Sequence, residues 1–232
     1  MDEKKNLLGV TIDNINTVQA MERVREFMET EALNTIGMIT TNVLLEATGS
    51  DTYQKQLCQL DLRLIGDREV LEAAGVDSAE RRMEAENHWF VRTFLEYLAE
   101  QGRSLMLICG SVEEEERVLD YLREHYPELN LAGACVPDDG KEDVDGLVNL
   151  VNGISPDVIL VTLLQPLQEE FMAQNKAKLE ARILLGAGKM FLAGERSELK
   201  SKFLERLWNR RKWKKTLSQC LHKKGESDHG IS

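Results

Sequence analysis

The residues of this chain that are best suited to chemistry stand just after short apolar segments. Thr40 closes one such segment, with Asn42 two residues later, and Asp67 follows the next segment. A hydroxyl and an amide can orient an acceptor alcohol, and a carboxylate can accept its proton as a general base. Thr, Asn and Asp are also common at the N-cap of a helix. A catalytic role and a capping role therefore both remain open.

Gly110 and Ser111 follow another apolar segment and precede a predicted helix. Backbone N–H groups at the start of a helix suit a diphosphate. The glutamates at 113–116 would repel a phosphate, although they also complement the positive end of the helix dipole. A substrate-binding site at Gly110 and a purely structural turn are the two alternatives.

The phrase Gln165-Pro-Leu-Gln168-Glu169 closely follows the apolar segment 158–161. A proline in the first helical turn sets the direction in which the helix enters. Gln168 and Glu169 are therefore predicted to lie in that first turn, as substrate-binding candidates or as structural residues. His88 and His125 are interpreted as surface or interface histidines.

These candidates need a scaffold, and the apolar pattern indicates one. Short, partly β-branched runs that suit strands buried on both faces occur at 7–12, 35–40, 62–65, 105–109, 129–132, 158–161 and 183–185. Segments of helical periodicity alternate with them at 17–29, 51–59, 68–74, 87–100, 112–125, 143–152 and 165–179. The alternation predicts an α/β fold with a doubly wound, largely parallel, Rossmann-like sheet. Ligands of such sheets bind beyond the carboxyl ends of the strands, where the candidate residues stand.

The composition is that of a globular protein whose charge is unevenly distributed. Hydrophobic residues make up 42% and charged residues 30% of the 232 positions, which is ordinary for a packed domain. The formal net charge is -11, yet segment 199–224 is rich in Lys and Arg and contains Glu205 as its one acidic residue. Four cysteines without CxxC or Cys/His spacing predict reduced thiols and no metal site. We predict an α/β domain over 1–195, a basic amphipathic appendage over 196–224 and a disordered tail over 225–232.

The appendage is predicted to be helical, with Phe, Leu and Trp residues among its basic ones. Such a helix can lie on an anionic membrane, and Arg206, Arg210 and Arg211 are candidates to meet the membrane or a lipid-linked acceptor. A helix that packs on the domain is the alternative, and the acidic body argues against nucleic acid. No apolar run approaches ~20 residues and no secretory signal is recognised. We therefore expect a cytoplasmic protein, peripheral at most on the inner face of the membrane, and able to form a homo-oligomer.

Taken in order, these pieces resemble the WecG/TagA/CpsF glycosyltransferase family over about the first 195 residues. The resemblance is carried by Leu7-Leu-Gly-Val-Thr-Ile-Asp13, Thr40-x-Asn42, Asp67, Arg82-Met-Glu-Ala-Glu-Asn87, Leu107-Ile-Cys-Gly110, His125-Tyr-Pro-Glu-Leu-Asn-Leu-Ala-Gly133 and Pro156-Asp-Val-Ile-Leu-Val161 leading to Pro166-Leu-Gln168-Glu169. The last phrase is the most specific element.

The resemblance implies a reaction and a role for each residue. The family attaches N-acetylmannosamine-type sugars from a UDP donor to a polyprenyl-diphosphate-linked acceptor, in the synthesis of surface polymers such as teichoic acid. By this resemblance Thr40 and Asn42 would line the catalytic crevice and Asp67 would deprotonate the acceptor hydroxyl. Arg82 would offset diphosphate charge, and Gln168 would contact the nucleotide sugar. The nucleotide sugar is a substrate, and the resemblance implies no cofactor and no metal.

Several positions depart from the family pattern. The acidic loop reads Ile65-Gly66-Asp67-Arg68 where the family has Pro-Asp-Gly. Glycine or aspartate positions of the family are occupied here by Ala85, Asn87, Thr162 and Leu164. Two hypotheses follow. The chain is a membrane-associated glycosyltransferase that uses a UDP-N-acetylhexosamine donor, or it is a catalytically silent homologue that binds a nucleotide sugar or a protein partner.

Overall fold

The computed structural model describes residues 3–137 and 144–188. Its strands are β1 Glu3–Leu7, β2 Val10–Asn14, β3 Asn34–Ile39, β4 Leu62–Ile65, β5 Ser104–Ile108, β6 Asn130–Cys135, β7 Val158–Val161 and β8 Ile183–Gly186. Its helices are α1 Thr17–Glu29, α2 Thr41–Ala47, α3 Asp51–Cys58, α4 Arg68–Ala74, α5 Ala79–Glu86, α6 Trp89–Glu100, α7 Val112–His125, α8 Val144–Ile154 and α9 Leu167–Asn175. Among these helices, none combines the length and the apolar character needed to cross a bilayer. Arg206, Arg210, Arg211 and the rest of the predicted appendage and tail lie outside the described residues.

Six strands form a parallel sheet in the order β4-β3-β8-β7-β5-β6. Helices α2, α3, α4, α8 and α9 contribute to the hydrophobic core on one face, and α1, α6 and α7 contribute to the core on the other face. Strand residues alternate between the two cores, so Ile159 and Val161 pack on the first while Val158 and Leu160 pack on the second. This arrangement confirms the predicted doubly wound α/β fold.

The carboxyl ends of the six parallel strands lie along one side of the sheet, which we call the strand-end edge. Helices α2, α4, α7 and α9 begin at this edge, directly after β3, β4, β5 and β7. Because neighbouring strands are about 4.8 Å apart, the ends of β4, β3 and β8 form one compact region. The end of β5 lies four strand spacings from β4, or about 19 Å.

A two-stranded antiparallel hairpin, β1 with β2, stands where the sequence predicted one strand at 7–12. The chain reverses at Leu8 and Gly9, both at positive φ. The hairpin is anchored to the edge strand β4, because a carboxylate oxygen of Asp13 accepts the backbone N–H of Arg63 at 2.8 Å. The buried Arg63 guanidinium also lies 4.0 Å from Asp13 and donates to backbone carbonyls next to β4.

Replacing Asp13 with Ala is expected to lower the free energy of unfolding by about 3 kcal/mol, because the buried Arg63 charge loses its counter-charge. Urea denaturation followed by circular dichroism measures the change. Asp120→Ala is the matched control, since that carboxylate pairs with Arg123 in an exposed position, and its loss is expected to cost less than about 0.5 kcal/mol. Equal effects of the two substitutions would contradict the anchoring role of Asp13.

Candidate functional site

Thr40 and Asp67 meet at the neighbouring ends of β3 and β4. Thr40 is the N-cap of α2, and Asp67 is the N-cap of α4, where its Oδ1 accepts the backbone N–H of Val70 at 2.9 Å. The second carboxylate oxygen, Oδ2, accepts the backbone N–H of Thr41 at 2.6 Å. One carboxylate therefore joins the N-termini of two helices. The two capping hydrogen bonds leave the Asp67 carboxylate able to accept a further hydrogen bond or a proton, because each carboxylate oxygen has a second lone pair.

Gly66 allows this close meeting of the two strand ends. Its backbone N–H donates to the carbonyl of Ile39 at 2.8 Å. A Cβ at this position would lie 2.8 Å from Thr40 Cγ2 and 3.2 Å from the Ile39 carbonyl oxygen, which real side chains do not tolerate without displacement. Close packing therefore explains the glycine before Asp67, although the family phrase Pro-Asp-Gly has its glycine after the aspartate.

The pKa of Asp67 is raised above its ordinary value. Burial is the main cause, and the backbone N–H groups of Thr41 and Val70 oppose it by stabilising the charged form. A carboxylate with a raised pKa is a stronger proton acceptor than a solvent-exposed one. The electrostatics therefore suit Asp67 to accept a proton.

A narrow crevice of about 30 Å³, partly open to solvent, adjoins this junction. Its wall includes Gly66, which packs against Thr40 and directly precedes Asp67 in the sequence. Apolar side chains from β3, β4, α4, α6 and the β2–α1 connection line most of it: Ile15, Met38, Leu64, Ile65, Leu71 and Phe90. The lining is therefore largely apolar, with a few polar groups, at the strand-end edge.

The polar groups of the crevice come from α1, α5 and the start of α6. Glu84 is buried; one carboxylate oxygen accepts the backbone N–H of Thr17 at 3.3 Å, and the other is 2.7 Å from Arg81 Nη1. His88 has φ of 52°, and no donor or acceptor within 3–137 and 144–188 reaches its buried Nδ1. Burial lowers the pKa of His88, with a smaller contribution from Arg92. His88 is therefore half-buried and lines the crevice. The chain's sequence had suggested a surface or interface position for this histidine.

Asn42 and Arg82 lie close to this junction but in different settings. Asn42 is exposed in the first turn of α2, two residues after Thr40. Arg82 lies on α5, where its guanidinium donates to both carboxylate oxygens of Asp77. That hydrogen bonding lowers the pKa of Asp77. The neighbouring Arg81, and not Arg82, lines the crevice.

Gln168 and Glu169 lie beneath the surface, beside the end of β8. They are 1% and 2% exposed. Gln168 Nε2 donates to Glu169 Oε1 at 2.9 Å, and its Oε1 accepts the backbone N–H of Gly188 at 2.8 Å. Glu169 Oε2 accepts the hydroxyl proton of the buried Tyr53 at 2.8 Å. These four residues form one hydrogen-bond chain, which we call the Tyr53–Gly188 chain.

Gly110 lies at the end of β5, away from the other candidates. Its backbone N–H donates to Glu114 Oε2 at 3.2 Å, and the carboxylate lies directly over the glycine. The glutamate of α7 thus occupies the position that a diphosphate would need. Within the described part of the chain, no donor reaches the second, buried oxygen of Glu114.

The structure brings Thr40, Asp67 and Asn42 together beside the crevice and sets Gly110 apart. Gln168 and Glu169 lie one to two strand spacings further along the edge, below the surface. In 3–137 and 144–188 no group of three or more His, Cys, Asp or Glu residues is placed to hold a metal ion. Arg81, Glu84 and Tyr53 were not among the site residues predicted from the sequence; the (i, i+3) spacing of opposite charges was the available signal for the first two.

Comparison with known proteins places these observations in a family. A family model described as glycosyl transferase WecG/TagA/CpsF family matches residues 5–199. Relatives from Staphylococcus aureus strains MRSA252 and NCTC 8325 are named N-acetylglucosaminyldiphosphoundecaprenol N-acetyl-beta-D-mannosaminyltransferase. Each is 23% identical to this chain over 193 residues, which cover 80% of this chain and 73% of the relative.

Proposed function

The chain belongs to the WecG/TagA/CpsF glycosyl transferase family, and we propose that it transfers an N-acetylhexosamine of the N-acetylmannosamine type. The proposed donor is the UDP-activated sugar. The proposed acceptor is a sugar linked through a diphosphate to a polyprenyl lipid, as the names of the Staphylococcus aureus relatives describe for those proteins. The observation that supports the proposal is the Asp67 carboxylate, which has a raised pKa, accepts the backbone N–H of Thr41 next to Thr40, and directly follows Gly66 of the crevice wall.

The proposed reaction is a direct displacement with inversion at the anomeric carbon. Asp67 accepts the proton of the acceptor hydroxyl as its oxygen forms a bond to the anomeric carbon. The bond from that carbon to the diphosphate breaks, and UDP leaves with the electron pair. In this proposal Thr40 and Asn42, at the start of α2, orient the reacting sugars.

Charge on the departing diphosphate needs a cation, and two arginines of α5 are available. Arg82 would have to exchange Asp77 for the diphosphate, while Arg81 already faces the crevice but is paired with Glu84. Arg206, Arg210 and Arg211 remain proposed contacts to the acceptor or the membrane. No metal ion is needed in this scheme, because guanidinium groups can stabilise the leaving group.

Calorimetric titration with UDP and UDP-N-acetylmannosamine tests binding, and transfer to a short-chain polyprenyl-diphosphate-N-acetylglucosamine acceptor in the presence of EDTA tests catalysis. We expect binding of both nucleotides and formation of the disaccharide lipid. An absence of binding at millimolar nucleotide would overturn the proposal. Binding without transfer under any metal condition would favour the silent homologue that the altered loop positions suggested.

A further inference from the structure

The large apolar side chains that the described residues expose are concentrated at the strand-end edge. Seven such side chains are exposed: Val18, Met83, Trp89, Val112, Leu150, Leu164 and Leu167. Val112 and Leu167 begin α7 and α9 directly after β5 and β7, and Leu164 lies in the loop before α9. Leu150, in the middle of α8, is the exception.

The remaining three flank the crevice. Val18, Met83 and Trp89 each follow or precede a residue that lines it, namely Thr17, Glu84 and His88. The hydrogen bond from Thr17 N–H to Glu84 holds the first turn of α1 against α5. Apolar side chains therefore lie on both sides of the Thr40–Asp67 junction. Val18, Met83 and Trp89 lie on the side of the crevice, and Leu164 and Leu167 lie on the other side.

We propose that the strand-end edge is a membrane-docking surface, in which Val18, Met83 and Trp89 on one side and Leu164 and Leu167 on the other enter the interface of a lipid bilayer. The inference rests on the proposed lipid-linked acceptor. In this orientation Asp67 faces the headgroup layer, where the diphosphate and first sugar of such an acceptor lie. The enzyme then reaches its acceptor without extracting the lipid.

Two further observations favour a bilayer over a second copy of the chain as the occupant. Gly188 is held at this edge by Gln168, and the Lys- and Arg-rich segment 199–224 follows it in the sequence. Basic residues are attracted to anionic lipid, and a tryptophan suits the membrane interface.

A single-tryptophan reporter tests whether this edge contacts lipid. The chain contains three tryptophans, so Trp208→Phe and Trp213→Phe together leave Trp89 as the one emitter. On addition of phosphatidylglycerol and phosphatidylcholine vesicles, we expect a blue shift of its emission and quenching by lipids brominated close to the headgroup. An unchanged emission spectrum with vesicle-bound protein would overturn the proposal.

Vesicle flotation of the full chain tests Leu164 and Leu167, which lie on the opposite side of the Thr40–Asp67 junction from Trp89. Leu164→Glu with Leu167→Glu is expected to reduce partitioning about tenfold or more, because side chains that are 52% and 59% exposed no longer enter the lipid. The assay is run in about 1 M salt, where the Debye length is about 3 Å and electrostatic attraction is screened. The matched control is Leu150→Glu, 48% exposed but away from the edge, which is expected to change partitioning less than about twofold.

The outcomes separate this inference from the proposed function and from self-association. Equal flotation of the two variants would overturn the docking surface, even if UDP binding and transfer to a water-soluble acceptor are intact. A lower molecular mass of the double variant in light scattering, with unchanged flotation, would show that the edge joins two copies and would also overturn it. Loss of flotation with retained transfer to the water-soluble acceptor is the expected result.

Discussion

Asp67→Asn is expected to reduce the rate of glycosyl transfer by about 10²- to 10⁴-fold, the range for loss of a general base. The amide keeps the shape of the carboxylate but has a single acceptor oxygen. It can therefore accept from Val70 N–H or from Thr41 N–H, and not from both as Asp67 does. The substitution is thus also expected to cost about 1 kcal/mol of stability through the lost cap.

A control variant separates catalysis from capping. Ser78→Ala removes a side-chain cap from α5, where the Ser78 hydroxyl accepts the N–H of Arg81. It is expected to cost a similar ~1 kcal/mol with transfer reduced less than about threefold. Calorimetry with UDP confirms that both variants are folded. If Asp67→Asn retains more than a tenth of the wild-type rate, Asp67 is not the base.

The raised pKa of Asp67 also predicts the acidic limb of the pH–rate profile. The rate falls when the base becomes protonated, so it declines as pH decreases through the Asp67 pKa. Because burial raises that pKa, the decline begins at a higher pH than the ordinary aspartate value of about 3.9 would give. The residual rate of Asp67→Asn is expected to lack this limb.

The sheet and the position of Asp67 were predictable because they depend on local patterns. β4 Leu62–Ile65 and β7 Val158–Val161 coincide with the predicted apolar runs, since a strand buried on both faces needs a largely apolar segment. Arg63 is the one charged residue in these two strands. Parallel strands carry their carboxyl ends to one edge, so the residues after those runs were expected to lie there. Thr40 and Asp67 became neighbours for this reason alone.

The polar lining of the crevice was not predictable from the sequence, because much of it comes from a helix with little hydrophobic periodicity. Helix α5, Ala79–Glu86, reads Ala-Glu-Arg-Arg-Met-Glu-Ala-Glu, and its one buried residue is Glu84. A charged side chain is buried only when a partner compensates it. The partners here are Arg81 and the N-terminus of α1, 67 residues away in the chain.

The Tyr53–Gly188 chain provides the second large effect: Glu169→Ala is expected to lower the free energy of unfolding by about 4 kcal/mol. The substitution removes the acceptor of two buried donors, Tyr53 Oη and Gln168 Nε2, and each unsatisfied donor costs about 1–3 kcal/mol. Tyr53→Phe removes one donor and is expected to cost about 1–2 kcal/mol. Urea denaturation measures both. Gln174→Ala, on an exposed bond in α9, is the control.

The same chain explains why Glu169→Gln is not expected to be conservative. Gly188 N–H needs an acceptor, which orients the Gln168 amide so that its NH₂ group faces residue 169. A carboxylate accepts from both Gln168 and Tyr53. A glutamine at 169 would accept from Gln168 and turn its NH₂ group toward the Tyr53 hydroxyl, whose buried O–H proton would then lose its acceptor. Gly186 packs closely against the Gln168 amide, since a Cβ at this position would lie 2.7 Å from Gln168 Nε2. The amide therefore has little room to change its position. The expected cost is about 2 kcal/mol.

Glu169→Gln also reveals a pH dependence whose sign follows from linkage. Burial raises the pKa of Glu169 above that of an unfolded glutamate, although Tyr53 and Gln168 oppose the shift. The folded protein therefore binds a proton more tightly than the unfolded chain. Its contribution to stability is fully present below the unfolded value of about 4.3 and is lost as pH rises through the folded pKa. The stability difference between wild type and Glu169→Gln should shift in favour of wild type on mild acidification, and a difference that is independent of pH would show that Glu169 titrates like a solvent-exposed group.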